Sequence, residues 1–248
     1  VKLLIIIMNI LVTGCAGFIG SHLCEQLLKK NINILGIDNL NNYYNINQKR
    51  ENLNILSKYN TFTFKKIDIR YEEISNIIFD FNPSIIIHLA AMAGIRNSIY
   101  NPAEYIDVNI NGTVNLLNAC IKNNIKKFIY ASSSSVYGLN TKIPFSEHDN
   151  LNNCNSPYAC SKLSMEHFCN LYSKLYDIKT VGLRFFTVYG PRGRPDMAPY
   201  KFINAILNNE EIIKYGDGTT MRDYTYVSDI IDGIESTIHN FDTLKNNI

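Results

Sequence analysis

The sequence predicts an α/β protein: a doubly wound parallel sheet followed by a small C-terminal lobe. Three observations predict it. Short apolar runs alternate with longer stretches whose apolar positions fall at helical spacing. A glycine-spaced turn, Thr13-Gly14-Cys15-Ala16-Gly17-Phe18-Ile19-Gly20, lies between the first such run and the first such stretch. Chemically distinctive residues recur just after the apolar runs, at the strand ends where sheets of this kind bind ligands.

Taken in order, residues 8–12 read as a short buried strand. The apolar segment 3–12 is too short to span a bilayer and runs straight into the glycine turn. Residues 1–7 read as an upstream extension without a functional role, because Met8 stands where a strand-first protein would begin. They lack a small-residue cleavage site, so no signal peptide is expected. Helix 18–30 follows, with Phe18, Ile19, Leu23, Leu27 and Leu28 on one face. Gly14 permits the tight turn, Gly17 lets the backbone approach a pyrophosphate, and Gly20 lets the helix pack closely on the strand. Strand 32–37 ends in Asp38, placed to accept hydrogen bonds from ribose hydroxyls and to disfavour a 2′-phosphate. The expected cofactor is therefore NAD rather than NADP.

The polar loop 39–47 is rich in asparagine, as is the whole chain, and reads as compositional bias. Further strands are predicted at 61–66, 84–89, 126–131 and 180–184. Further helices are predicted at 71–79, 103–122, 158–175, 199–208 and 227–239. Candidate ligand contacts at strand ends are Asp38, Asp68 with Ile69, Leu89-Ala90-Ala91, Ser132 to Ser135, and Phe185-Phe186-Thr187. This divides the chain into a cofactor-binding Rossmann domain, 1–184, and a second unit, 185–248, expected to carry substrate contacts, whose helix 227–239 is expected to pack back on the first domain.

Composition bounds the alternatives. The 248 residues are 46% hydrophobic and 19% charged, enough for one large core, and the net charge of +2 gives no reason to expect nucleic acid or a membrane surface as partner. Neither the six cysteines nor the five histidines show ligand spacing, so neither zinc nor a disulfide framework is expected, and a reducing, cytoplasmic setting is.

The chemistry is carried by Tyr158-Ala159-Cys160-Ser161-Lys162 and the serine run upstream. Taking a proton from an alcohol while its carbon gives up a hydride needs a base near neutral pH, and a free phenol titrates near ~10. Lys162, one helical turn after Tyr158, and a cationic nicotinamide would both favour phenolate. Lowering the phenol to about 7 corresponds to roughly 4 kcal/mol. Ser133 would hydrogen-bond the reacting oxygen.

With these motifs go several longer stretches: Asp38-Asn39-Leu40-Asn41 with Tyr43-Tyr44, His88-Leu89-Ala90-Ala91, Ala93-Gly94-Ile95-Arg96, Ala131 to Gly138, Arg184 to Pro191, Gly193-Arg194-Pro195-Asp196-Met197 and Arg222-Asp223-Tyr224. On them the chain resembles the extended short-chain dehydrogenase/reductases of the sugar-nucleotide epimerase branch, and most closely the UDP-glucuronate 4-epimerases. The resemblance implies Ser133, Tyr158 and Lys162 as catalytic residues. It implies NAD contacts from Gly14, Gly17, Phe18, Ile19, Gly20, Asp38, Asn39, Asp68, Ile69, Leu89, Ala90 and Ala91, with Tyr158 and Lys162. It also implies substrate contacts from Arg96, Ser133, Ser134, Ser135, Thr187, Arg194 and Arg222.

Dehydratases of the branch carry an Asp-Glu pair after the catalytic hydroxyl, and its decarboxylases carry a glutamate before Val-Tyr-Gly. Here Ser134 and Ser135 stand in those places. That leaves 4-epimerisation, with neutral hydrogen bonds from Ser134, Ser135 and Thr187 holding a uronate carboxylate. UDP-glucose 4-epimerase or another sugar-nucleotide enzyme of the branch stays open, as does a non-catalytic NAD-binding protein. Met92 stands where relatives often carry glutamine, and the resemblance implies several tens of further residues after Ile248 that complete the substrate lobe. It also implies a homodimer paired through helices 103–122 and 158–175.

Overall fold

The computed structural model describes residues 8–214, 216–219 and 221–244. Its elements are β1 (Asn9–Thr13), α1 (Phe18–Lys29), β2 (Asn33–Asp38), α2 (Ile46–Leu56), β3 (Phe62–Lys66), α3 (Ile74–Phe81) and β4 (Ile85–His88). Then come α4 (Ile95–Tyr100), α5 (Pro102–Ile106), a π-helical turn Asp107–Asn111, α6 (Gly112–Lys122), β5 (Lys127–Ser133) and a 3₁₀ turn Ser134–Tyr137. The chain continues through α7 (Pro157–Leu175), β6 (Lys179–Phe185), β7 (Thr187–Tyr189), α8 (Ala198–Leu207), β8 (Tyr224–Tyr226) and α9 (Val227–His239). The upstream extension expected over residues 1–7 lies outside the described residues.

Six strands form one parallel sheet in the order β3-β2-β1-β4-β5-β6. The order reverses between β1 and β4, which opens a crevice at their carboxyl ends. Alternation along each strand makes the two cores. Ile10, Val12, Ile85, Ile87 and Ile129 face Leu23, Leu27 and Leu28 of α1 and Ile231, Ile234 and Ile238 of α9. On the other face Leu11, Leu35, Ile86, Phe128 and Tyr130 pack with Ile74, Ile78, Leu116, Leu117, Met165 and Cys169. Helix α9 therefore shares the core of the main sheet, and Gln26 of α1 and Lys30, at its C-terminal cap, both reach its Glu235.

Besides the short helix α4, which was not anticipated, three features depart from the sequence reading. Helix α2 is absent from it because α2 buries Lys49 and Asn52 beside Leu56, so no apolar periodicity marks the helix. Asn45, within the loop dismissed as compositional, caps α2 by accepting from the Asn47 amide at 3.0 Å. The single helix expected over 103–122 is α5 and α6 joined by the π-helical turn. In that turn Asn109 is fully buried, its carboxamide pairing with both the backbone N–H (2.8 Å) and the carbonyl (3.0 Å) of Met92. That pairing is long-range and leaves no mark on periodicity. Strands β7 and β8 form a separate two-stranded parallel sheet that was also not anticipated.

Candidate active site

One cavity of about 1090 Å³ opens at the switch point, and every residue singled out above for cofactor, proton transfer and substrate lines it. Its floor is the glycine turn. Gly14 has φ +71°, its amide donates to the Ile37 carbonyl at 2.7 Å, and a Cβ there would lie 2.7 Å from the Ala90 amide nitrogen. A Cβ on Gly20 would collide with the Gly14 carbonyl oxygen. The turn thus keeps its backbone bare at the start of α1, as a diphosphate requires.

At the end of β2, Asp38 is buried and accepts from the amides of Ala16 (3.2 Å) and Leu40 (2.8 Å). Sequence reasoning missed its neighbour Lys49. The ammonium stands 3.8 Å from the Asp38 carboxylate and 2.6 Å from Asn41 Oδ1, and it lies 5.2 Å from the Tyr44 ring centre. Burial lowers the Lys49 pKa, and Asp38 partly restores it. Asn39 donates to Asp68 at 2.8 Å, while Arg70 grips the same carboxylate and, with Asn39, holds its pKa down to about 2. An acid-ended second strand, a bare glycine turn and a cavity running between them fit a dinucleotide, with Gly14, Gly17 and Gly20 under the diphosphate and Asp38 and Asn39 toward the adenosine.

Tyr158 sits in the first turn of α7, where Ser156 caps the helix by accepting from the Ala159 amide at 3.2 Å. Ser133 ends β5, and its hydroxyl accepts from the Ser135 amide at 3.1 Å. Lys162 is buried and donates to the Ala131 carbonyl at 2.8 Å. Burial lowers its pKa to about 8, against small upward pulls from Cys169 and Glu166. Tyr158, one turn before Lys162 on α7, carries the phenol expected to act as base. Burial raises the phenol's pKa, and the opposing influences are hydrogen bonding with Ser133 and the charge of Arg194.

Arg194 is held in a fork by Asp196, with contacts of 3.0 and 2.5 Å, and its guanidinium lies 5.6 Å over the Tyr43 ring. Gly94, at φ +97°, makes room for this group, since a Cβ there would lie 2.6 Å from the Tyr43 hydroxyl. The loop carrying Arg194 is pinned to α2 through Gln48, which donates to the Arg192 and Gly193 carbonyls at 2.8 and 3.1 Å. Arg96, Ser134, Ser135, Thr187 and Arg222 line the same cavity. The Thr187 amide bonds to the Asp223 carbonyl at 3.3 Å, which brings β8 and the neighbouring Arg222 to the site.

Beneath Ser133 and Lys162 lies an ion pair that the sequence reading also missed. Arg184 contacts both carboxylate oxygens of Glu166, at 2.9 and 2.8 Å, and Ser132 donates to the same carboxylate. Both charged side chains are buried. A charge inside a predicted strand and another four residues after Lys162 were a legible signal, since buried charges need partners.

A model of the NAD dependent epimerase/dehydratase family matches residues 10–248. The chain is 49% identical over 232 residues to protein CapI of Staphylococcus aureus, covering 93% of this chain and 69% of that one. It is 44% identical over 224 residues to a UDP-glucuronate 4-epimerase of Thermodesulfobacterium geofontis, covering 90% of this chain and 69% of the relative. Its fold matches the crystal structure of UDP-glucuronic acid 4-epimerase from Bacillus cereus in complex with UDP-glucuronic acid and NAD. That match has a TM-score of 0.88 and 40% identity and covers 97% of this chain and 75% of that one. The glycine turn, the strand-end acid and the Ser133, Tyr158 and Lys162 constellation agree with these likenesses: the chain belongs to the NAD-dependent epimerase/dehydratase family.

Proposed function

We propose that the chain inverts C4 of a UDP-sugar, converting UDP-glucuronate to UDP-galacturonate. The observation that carries this reading is a half-buried tyrosine facing a serine-only strand end. Ser133 reaches Tyr158, and Ser134 and Ser135 stand where a dehydratase or decarboxylase would need carboxylates. The similarity to the Bacillus cereus enzyme, solved with UDP-glucuronic acid and NAD, supports the choice of substrate.

When bound, NAD supplies the acceptor that takes hydrogen from C4 with its electron pair and later gives it back. Tyr158 Oη takes the proton of the 4-hydroxyl as C4 becomes a ketone, and returns it to the new alcohol once the sugar presents its opposite face. Ser133 hydrogen-bonds the 4-oxygen throughout. Arg194 adds positive charge on the side of the phenol, opposing the effect of burial. Ser134, Ser135 and Thr187 would hold the carboxylate with neutral hydrogen bonds, away from the orientation in which a β-keto acid loses carbon dioxide. Arg96 and Arg222 are assigned to the anionic groups of the substrate.

The reading includes a homodimer through α5, α6 and α7, whose Ile106, Ile121, Phe168, Leu171 and Leu175 are exposed. Among the described residues no helix is long and apolar enough to cross a membrane. The cysteines are all free, with Cys15, Cys24, Cys120 and Cys169 buried, which suits a reducing cytoplasm.

The test is incubation with UDP-glucuronate, with and without NAD, and chromatography for UDP-galacturonate, using UDP-glucose as comparator. Epimer from UDP-glucuronate, reduced by about 10²-fold or more in Tyr158→Phe, is expected. Turnover of UDP-glucose alone would move the assignment to the neutral sugar. No turnover of either by protein that binds NAD would overturn the catalytic reading.

A further inference from the structure

A continuous chain of buried polar groups runs under the cavity from the glycine turn to the catalytic helix. The Ala90 amide donates to Thr13 Oγ1 at 3.2 Å, and Thr13 Oγ1 lies 2.7 Å from His88 Nδ1. His88 Nε2 lies 3.0 Å from Thr113 Oγ1, which donates to the Asn109 carbonyl at 2.6 Å. The Asn109 carboxamide then donates to Ser161 Oγ at 2.9 Å, and Ser161 donates to the carbonyl of Tyr158 at 2.8 Å. Thr13, His88, Thr113, Asn109 and Ser161 are all buried, so each donor and acceptor must find its partner within the chain.

This requirement determines where the hydrogens lie. A carbonyl can only accept, so the Thr113 hydroxyl hydrogen is committed to Asn109, and Thr113 Oγ1 can only accept from His88. Nε2 therefore carries a proton. At the other end Thr13 Oγ1 already accepts from Ala90, and its own hydrogen finds an acceptor in His88 Nδ1 only when that nitrogen is bare. A second proton on the ring would leave the Thr13 hydroxyl facing a donor. Full burial and, after it, the Lys162 charge push in the same direction, lowering the imidazole pKa to about 3, and the close ring neighbour is the uncharged Phe128, 5.8 Å away.

We propose that His88 is a positioning residue, a permanently neutral Nε2–H imidazole that ties the Ala90 wall of the cofactor cavity to the π-helical turn and through it to the backbone of Tyr158. The inference rests on the epimerase reading only for its kinetic arm. Every hydrogen bond in the chain points one way, from Ala90 to the Asn109 carbonyl, so reversing or removing the middle member breaks both ends. Sequence alone could not have shown this. The participants come from β1, β4, the π-helical turn, α6 and α7, and His88 shows no ligand spacing.

The experiment begins with the unaltered chain labelled with ¹⁵N-histidine, so that it depends on neither folding of a variant nor activity. The His88 resonances, identified by their loss in His88→Gln, are expected to report the Nε2–H tautomer unchanged between about pH 5 and pH 8. An Nδ1–H tautomer, or titration near the ordinary 6.5, overturns the proposal. Exchange of the Ala90 amide with solvent deuterium is then compared in two variants. His88→Gln, which keeps a donor toward Thr113, should retain protection, and His88→Leu should lose it. In the kinetic arm His88→Leu should lower kcat about 10-fold or more with little change in KM for the sugar nucleotide, and His88→Gln should recover part of the loss. Equal behaviour of Gln and Leu, in exchange or in kcat, overturns the proposal. Failure of the unaltered chain to turn over any UDP-sugar would count against the epimerase reading and leave the spectroscopic and exchange results to decide this one.

Discussion

Lys162 keeps a charged group in a place that disfavours it. Its folded-state pKa, about 8, lies below the ordinary 10.5, so the folded chain holds this proton less tightly than the unfolded chain does. The cost is present in full below pH 8 and is relieved as pH rises toward 10.5; the gap corresponds to about 3 kcal/mol. Lys162→Met should therefore raise stability near neutral pH by about 2 kcal/mol, after allowing for the lost bond to Ala131. The gain should shrink when melting is repeated near the upper end of that window. A gain that does not change with pH would mean that the lysine is not destabilised by its burial. At this scale the sequence singled out Tyr158, Lys162 and Ser133 for the proposed chemistry by their spacing, and the structure brings them to one cavity. It did not show what sets their ionisation. Burial, Arg194 and Glu166 act on them from residues distant in the chain.

Among the elements, the turn between β1 and α1 is the most demanding. Gly20→Ala would drive a methyl group into the Gly14 carbonyl and against the Cys15 backbone, none of which is a flexible side-chain end. The glycine turn must then open. The expected result is a fall of about tenfold or more in NAD affinity, measured by calorimetry, with the rest of the fold retained. An affinity within about twofold of the unaltered chain would show that the turn does not set the diphosphate site. The six strands of the main sheet were legible to within a residue or two, most plainly where an apolar run is buried on both faces, as in β4 with all four of its residues buried. Helix α2 was not legible, since Lys49 and Asn52 point inward to Asp38 and to the Ala16 carbonyl rather than into an apolar core. The π-helical turn stayed hidden for the related reason that its cause, the pairing of Asn109 with Met92, lies across the fold.

For the whole molecule, the exposed apolar residues of α5, α6 and α7 carry the prediction of a dimer. Sedimentation should show two copies at micromolar protein, and Leu171→Glu with Leu175→Glu should give a folded monomer. A monomer at all concentrations would end the proposal. The sequence by itself determined the sheet class and the glycine turn of the cofactor cradle and singled out the candidates for proton transfer, because each depends on local spacing: period two in strands, 3.6 in helices, and glycines where no Cβ fits. Only the tertiary structure decided which charges meet. It paired Asp38 with Lys49, Glu166 with Arg184 and Arg194 with Asp196, and it linked His88 to Thr13 and Thr113. All but one of those pairs join residues on different elements or loops, and a buried polar group takes whichever partner folding brings within hydrogen-bond reach, at whatever distance along the chain.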